Sequence, residues 1–167
     1  DKLRPITPED IVILLRSPGS VGGIYRAALQ ERGIACVSAN RVDMLQTEEI
    51  EVLIAFLETI HNPLQDIPLT AVLTSRVIGM SADELSNIRC ADKYSSIYDA
   101  LLKSDSPKAT AFVELLDRLR RESQIQNLSN LLMKLLSLTL MDSIYAAMPN
   151  GMERKENLQS FCQFAAS

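Results

Sequence analysis

The hydrophobic pattern of the chain changes at residues 61–68, HNPLQDIP. Before this segment, short apolar runs that are typical of buried strands alternate with helical spacing. After it, apolar residues recur only at the spacing of amphipathic helices. The chain is therefore predicted to be mainly α, with a small parallel α/β part at residues 1–62 and an all-helical part at residues 63–167.

Two strands are predicted in the first part, IVILL at residues 11–15 and IACVSA at residues 34–39. A helix over residues 20–32 connects them, and Gly33 suits the left-handed position that ends a helix. Strand, helix and strand in this order form a right-handed parallel unit. Two strands do not complete a parallel sheet. Further strands from a longer protein, or a second copy, would have to complete it.

The second part carries helix-start signals as well as helical spacing. Ser81 and Glu84 match the capping box that opens a helix, and Asn127 precedes a leucine-dense helix. An earlier helix begins near Glu48 and crosses the boundary between the two parts. Its apolar face is predicted to bury Ile50, Leu53, Ile54, Leu57 and Ile60.

Charge and cysteine usage exclude several classes of protein. The formal charge is −4, whereas a module that binds nucleic acid by itself is usually basic. DNA contact is therefore expected only through a local patch or with another part of a longer protein. The three cysteines lack zinc-binding spacing and are expected to be buried free thiols. No apolar run has the length of a membrane span, so no membrane partner is expected and a cytoplasmic location is predicted.

No complete catalytic motif is present in the sequence. There is no GxxxxGK[ST] phosphate-binding loop and no carboxylate cluster typical of a metal site. Glu48 and Glu49 fit the first turn of a helix, where acids favour the positive end of its dipole. Basic residues gather at Arg118, Arg120 and Arg121. This cluster is either a solvated helix face or a contact to a DNA phosphate.

Arg16 follows the predicted strand at residues 11–15 directly. The carboxyl ends of parallel strands form the edge where ligands bind in α/β sheets, and a guanidinium suits a phosphoryl group. Pairing of Arg16 with a local acid is the alternative. The sequence also begins at Asp1 without an initiator Met and stops within an apolar helical pattern, so a piece of a longer protein is expected.

Several blocks together resemble UvrD/PcrA-type superfamily 1 DNA helicases, and most specifically the AddA (RexA) type of helicase–nuclease. These blocks are DIVILLRS, GIACVSA, TEEIEVLIAFLETIHNPLQDIPLTAVL, SADELSNIR and MPNGMERKENLQSF, in this order along the chain. The wording NPLQDIPLTAVL and the pair MPNG and ERKENL are the most specific to the AddA type. The resemblance covers essentially the whole chain.

The resemblance implies two RecA-like motor domains, each with a helical insertion. Residues 1–62 would be a partial second RecA-like motor domain, and residues 63–167 its helical insertion subdomain. The ATP-binding loop, the metal-binding acid and the nuclease domain would lie outside this chain. ATP and Mg²⁺ are thus the cofactors implied for the full-length protein, and none is expected in this fragment.

The resemblance also assigns roles to residues and partners. Arg16 would contact the γ-phosphate of ATP, and Arg76, Arg118, Arg120 and Arg121 are the candidate DNA contacts. The implied function is that of an ATP-dependent 3′-to-5′ DNA helicase/exonuclease in double-strand-break repair and recombination. It would couple ATP hydrolysis to translocation on single-stranded DNA, and the fragment alone would be inactive. Implied partners are DNA and a second subunit of the AddB/RexB type, and the fragment is expected to self-associate through an exposed sheet surface.

Two alternatives remain open from the sequence. One is a UvrD/PcrA-type helicase that lacks a nuclease. The other is a helical protein-interaction domain with no catalytic role, in which the α/β start is incidental.

Overall fold

The computed structural model of the protein describes residues 4–16, 18–34, 36 and 44–165. Contacts between residues divide the chain into two compact units, Asp1–Thr47 and Glu48–Ser167. Each unit is described by itself below.

The first unit contains a short 3₁₀ helix, Pro8–Asp10, and helix α1, Pro18–Gln30. The end of α1 follows from Gly33, whose φ of 72° is the left-handed conformation predicted for it. The amide of Ile34 donates to the carbonyl of Leu29 at 3.0 Å, and the amide of Gly33 donates to Gln30 at 2.9 Å. This pair of bonds is the Schellman motif, which satisfies carbonyls that the end of a helix leaves open.

Residues 11–15 do not form the buried strand that their sequence predicts. They have no regular secondary structure, and the first four are exposed, from 49% at Ile13 to 91% at Leu14, while Leu15 is half-buried. The physical reason is that a strand needs neighbours for its backbone groups and both of its faces. The described residues of this unit supply no such neighbours.

The rest of the predicted sheet is equally affected. Of the second predicted strand, only residues 34 and 36 are described; residues 35 and 37–39 lie outside the described part. Because the described residues contain no strand, the prediction of self-association through an exposed sheet surface is wrong for them.

Helices are the regular structure of the second unit, so the prediction of a mainly α chain is confirmed. They are α2 Glu48–His61, α3 Asp66–Thr74, α4 Ala82–Ala91, α5 Ile97–Leu102, α6 Pro107–Ser123, α7 Leu128–Thr139, α8 Met141–Ala146 and α9 Gly151–Phe164. The predicted starts of α4 and α7 are confirmed as well. Ser81 and Glu84 bond each other's backbone amides, and Asn127 Oδ1 accepts from the amide of Asn130 at 2.9 Å. None of the helices in the described part combines the length and apolarity that a membrane span requires.

Helix α2 lies at the centre of this unit and packs against α3, α6 and α9. Its side chains Ile50, Leu53 and Ile60 are buried as predicted, whereas Ile54 and Leu57 are only half-buried. Phe56, 1% exposed, occupies the inner face that those two do not fill. Full burial of one such side chain stabilises the fold by about 1.5–3 kcal/mol. The fully buried partners of α2 in the core include Leu69, Val72, Leu73, Phe112, Leu116, Leu119 and Leu158.

Because α2 packs with the helices that follow it, the second compact unit begins at Glu48. The domain limits predicted from sequence, residues 1–62 and 63–167, refer to the full-length protein and stay a prediction.

The junction between α8 and α9 is the tightest point of the second unit. Asn150 adopts a left-handed conformation with φ 57° just before α9. The next residue, Gly151, is buried. A Cβ at this position would lie 1.9 Å from the carbonyl oxygen of Ala146. Backbone atoms therefore occupy the space that any larger residue would need.

We expect Gly151→Ala to lower the free energy of unfolding by about 1–3 kcal/mol, since the new methyl group must displace backbone. Urea denaturation followed by circular dichroism measures this change. Ser160→Ala, an exposed position on the same helix, is the matched control and should change stability by less than about 0.5 kcal/mol. Equal stability of the two variants would show that α8 and α9 do not approach this closely.

Candidate functional site

Arg16, the predicted γ-phosphate contact, belongs to the first unit and is exposed to solvent. It directly follows the apolar segment at residues 11–15. The carboxylate of Asp10 in this unit is bound by Arg4, with 2.7 Å between Arg4 Nη1 and Asp10 Oδ2. Arg4 also holds the pKa of Asp10 below its ordinary value. Asp10 is therefore already engaged by another arginine.

Arg76, a predicted DNA contact, lies in the connection between α3 and α4 in the second unit. Its side chain is 63% exposed, and its Nε lies 3.3 Å from Oε1 of Glu48. The connection itself is well braced. The amide of Met80 donates to Leu73 at 2.9 Å, and Lys108 Nζ donates to the carbonyl of Gly79 at 2.9 Å. Arg76 thus projects from a fixed loop and is already paired with an acid.

Helix α6 carries the other three predicted DNA contacts and does not present them together. Arg118 and Arg121 are exposed and lie three positions apart, so they share one side of the helix. Arg120 is half-buried and lies about 200° around the helix from Arg118. Only Arg118 and Arg121 form a common basic surface.

The most developed polar site of the described residues was not predicted from the sequence. Glu49 in α2 is 1% exposed, and its Oε2 lies 2.7 Å from Nη1 of Arg154 in α9. Its other oxygen, Oε1, accepts from Asn157 Nδ2 at 2.8 Å. We refer to Glu48, Glu49, Tyr145, Arg154 and Asn157 as the Glu49 cluster.

Tyr145 of α8 forms the apolar wall of this cluster. Its ring is fully buried, and the guanidinium carbon of Arg154 lies 5.8 Å from the ring centroid, within the range of a cation–π contact. Burial raises the pKa of Tyr145 to about 12, and the negative charges of Glu48 and Glu49 add to this shift. The hydroxyl has no hydrogen-bond partner among the described residues.

Glu48 connects the Glu49 cluster to the predicted DNA contact. Its side chain is 43% exposed and lies between two arginines. Oε1 faces Arg76 Nε at 3.3 Å, and Oε2 faces Arg154 Nη1 at 3.4 Å. Arg154 therefore joins both glutamates at the start of α2.

Metal and thiol chemistry find little support in the described part of the chain. It contains no group of three or more His, Cys, Asp or Glu side chains that could hold a metal ion. Cys162 is buried, which raises the pKa of its thiol. Cys36 is half-buried and Cys90 is exposed. The expectation of buried thiols thus fails at Cys90, because that residue lies on the outer side of α4.

Comparison with known proteins decides the family. The UvrD-like helicase C-terminal domain matches residues 3–165. The chain belongs to the UvrD-like helicase C-terminal domain family. The resemblance predicted from its sequence blocks is confirmed.

Individual relatives of this UvrD-like chain are named as one of the subunits of an ATP-dependent helicase/nuclease. The protein of that name from Acetivibrio thermocellus is 35% identical over 166 residues, which are 95% of this chain. Those from Listeria monocytogenes and Oceanobacillus iheyensis are each 34% identical, over 94% and 95% of this chain. In each case the chain spans 13% of the relative's length.

The Glu49 cluster joins two of the blocks that identify the UvrD-like chain. Glu48 and Glu49 belong to TEEIE, and Arg154 and Asn157 belong to ERKEN. Residues Glu49 and Arg154 are 105 positions apart. Each block taken alone fits a solvated helix end, so no local pattern pairs them.

We expect Arg154→Ala to lower the free energy of unfolding by about 3 kcal/mol, since it leaves a buried carboxylate without its counter-charge. Urea denaturation of the full chain measures the loss. Arg118→Ala, which removes an exposed arginine of α6, serves as the control and should change stability by less than about 0.5 kcal/mol. A loss no larger than that of Arg118→Ala would mean that the pair contributes nothing to stability.

The raised pKa of Tyr145 predicts alkaline sensitivity. The folded protein keeps the proton up to about pH 12, whereas the unfolded chain loses it near pH 10. Folding is therefore weakened as the pH rises from about 10 to 12, by roughly 2–3 kcal/mol. Tyr145→Phe should remove this loss while keeping stability at neutral pH at or above that of the wild type, since the removed hydroxyl is unpaired. Unfolding curves at pH 7 and at alkaline pH test both points, and a variant with the wild-type alkaline loss would contradict the assignment.

Proposed function

We propose that this chain is a segment of an ATP-dependent DNA helicase/nuclease that functions in double-strand-break repair and recombination. The observation that carries the proposal is the identity of 34–35% with three proteins named as subunits of an ATP-dependent helicase/nuclease, over nearly the whole chain. The proposed protein couples ATP hydrolysis to 3′-to-5′ translocation on single-stranded DNA. It works in the cytoplasm with a second subunit of the AddB/RexB type.

In this proposal, residues 1–62 begin the second RecA-like motor domain, and residues 63–167 are its helical insertion. The segments at residues 11–15 and 34–39 become strands when the remainder of the protein supplies their neighbours. The exposure of Val12 and Leu14, at 78% and 91%, supports this proposal. Apolar residues in such numbers on one short segment mark a surface that another part of a protein covers.

Arg16 is the residue we propose to act on ATP. ATP and Mg²⁺ would be held by parts of the protein beyond this chain, and Arg16 would contact the γ-phosphate from the facing domain. Its exposure, and the prior engagement of Asp10 by Arg4, leave the guanidinium accessible to a phosphate. A guanidinium at the γ-phosphate stabilises charge that develops during phosphoryl transfer. The chain alone would not hydrolyse ATP.

DNA would be contacted by local basic positions, because the net charge of the chain is −4. We propose Arg76 in the α3–α4 connection, together with Arg118 and Arg121 on one side of α6. Arg120 stays a weaker candidate because it is half-buried on another side of that helix.

The test of the proposed function is Arg16→Ala in the full-length protein. We expect DNA-stimulated ATP hydrolysis to fall by about a hundredfold or more, since removal of a single charged clamp has effects of this size. Unwinding of a tailed duplex should fall in parallel, while the thermal unfolding midpoint stays unchanged. Arg16→Lys, which keeps the charge and loses the planar fork, should fall between the two.

Arg32→Ala is the matched control. Arg32 lies in the same unit and donates to the carbonyl of Ala28 at 2.9 Å, so its loss should leave ATP hydrolysis near wild type. Wild-type turnover by Arg16→Ala would remove the role proposed for Arg16.

A further inference from the structure

We propose that Glu48 holds Arg76 in an internal ion pair that a DNA phosphate has to displace, so that Glu48 limits the affinity of this surface for DNA. The inference rests on the proposed function of Arg76 as a DNA contact. It adds a competitor within the same chain that regulates that contact.

The geometry of Arg76 suits exchange between two anions. Its bond to Glu48 uses Nε at 3.3 Å, and the side chain is 63% exposed. The two terminal nitrogens carry four further N–H donors. A phosphate prefers to bind a guanidinium through two parallel bonds. An incoming phosphate can therefore approach Arg76 from solvent before the bond to Glu48 is released.

Arg154 makes this release less costly. When Arg76 leaves, Oε2 of Glu48 still faces Arg154 Nη1 at 3.4 Å. Arg154 in turn is fixed at 2.7 Å from the buried carboxylate of Glu49. Glu48 thus stays in position beside a positive charge whether or not it holds Arg76. This arrangement differs from an isolated surface pair, in which the released acid would lose its only partner.

The expected effect is moderate because the pair is exposed. Exposed ion pairs of this kind correspond to a change of about two- to fivefold in an equilibrium constant. Removing the charge of Glu48 should therefore strengthen DNA binding by about this factor. The gain should depend on Arg76.

The experiment measures binding of the full 167-residue chain to a fluorescein-labelled DNA duplex with a single-stranded extension, by fluorescence anisotropy at low ionic strength. Variants are Glu48→Gln, Arg76→Ala and the double variant. We expect Glu48→Gln to tighten binding and Arg76→Ala to weaken it, and the double variant should bind no more tightly than Arg76→Ala. The slope of log affinity against log salt should fall by about one for Arg76→Ala, as for loss of one phosphate contact.

Glu51→Gln is the matched control. Glu51 is an exposed acid in the same first turn of α2, so its substitution changes the net charge and the helix end equally. If Glu51→Gln and Glu48→Gln tighten binding alike, the effect is general charge and the inference is overturned.

The remaining outcomes separate this inference from the proposed function. If Arg76→Ala weakens binding but Glu48→Gln leaves it unchanged, Arg76 is a DNA contact and Glu48 does not compete, so only the inference fails. If Arg76→Ala binds as the wild type does, Arg76 is not a contact, and both the inference and that part of the proposed function fail. Failure of all variants to bind the duplex would likewise overturn both. The ATPase test on Arg16 is independent of these results.

Discussion

The helical unit depends on the burial of one carboxylate, that of Glu49. A charged group that is 1% exposed is tolerated only when paired and hydrogen-bonded, because its desolvation costs several kcal/mol. Arg154 and Asn157 meet both demands, at 2.7 and 2.8 Å. Both partners come from α9, so the last helix has to return to the first helix of the unit. The intervening helices α3 to α8 must therefore fold into a path that closes on α2.

This closure explains the composition of the segment MPNGMERKEN. Arg154 has to reach Glu49 from the first turn of α9, which brings that turn against the end of α8. Gly151 provides the space that the carbonyl of Ala146 requires, and Asn150 accepts a left-handed backbone at φ 57°. Asn is among the residues that adopt this conformation most readily. The break in the helical pattern is thus a consequence of the contact between α9 and α2.

Local signals in the sequence predicted local structure well. The left-handed Gly33, the capping box of Ser81 and Glu84, and the buried positions Ile50 and Leu53 all follow from rules that act within a few residues. The ion pair between Glu49 and Arg154 could not be found in this way, since its partners are 105 positions apart and each suits an exposed helix end equally well. For residues 11–15, local composition predicted a strand, but whether a strand is buried depends on neighbours that composition does not specify.

The two units therefore differ in what stabilises them. The second has a core of its own around α2, with Leu53 and Phe56 almost completely buried. The first leaves Val12 and Leu14 in water, although burying such a side chain would contribute about 1.5–3 kcal/mol. Under the proposed function, that contribution is made only when the remainder of the motor domain covers the segment. Arg16 directly follows this segment, so its position would become fixed by the same event. The order of the segment and the placement of its arginine would then depend on a single packing step.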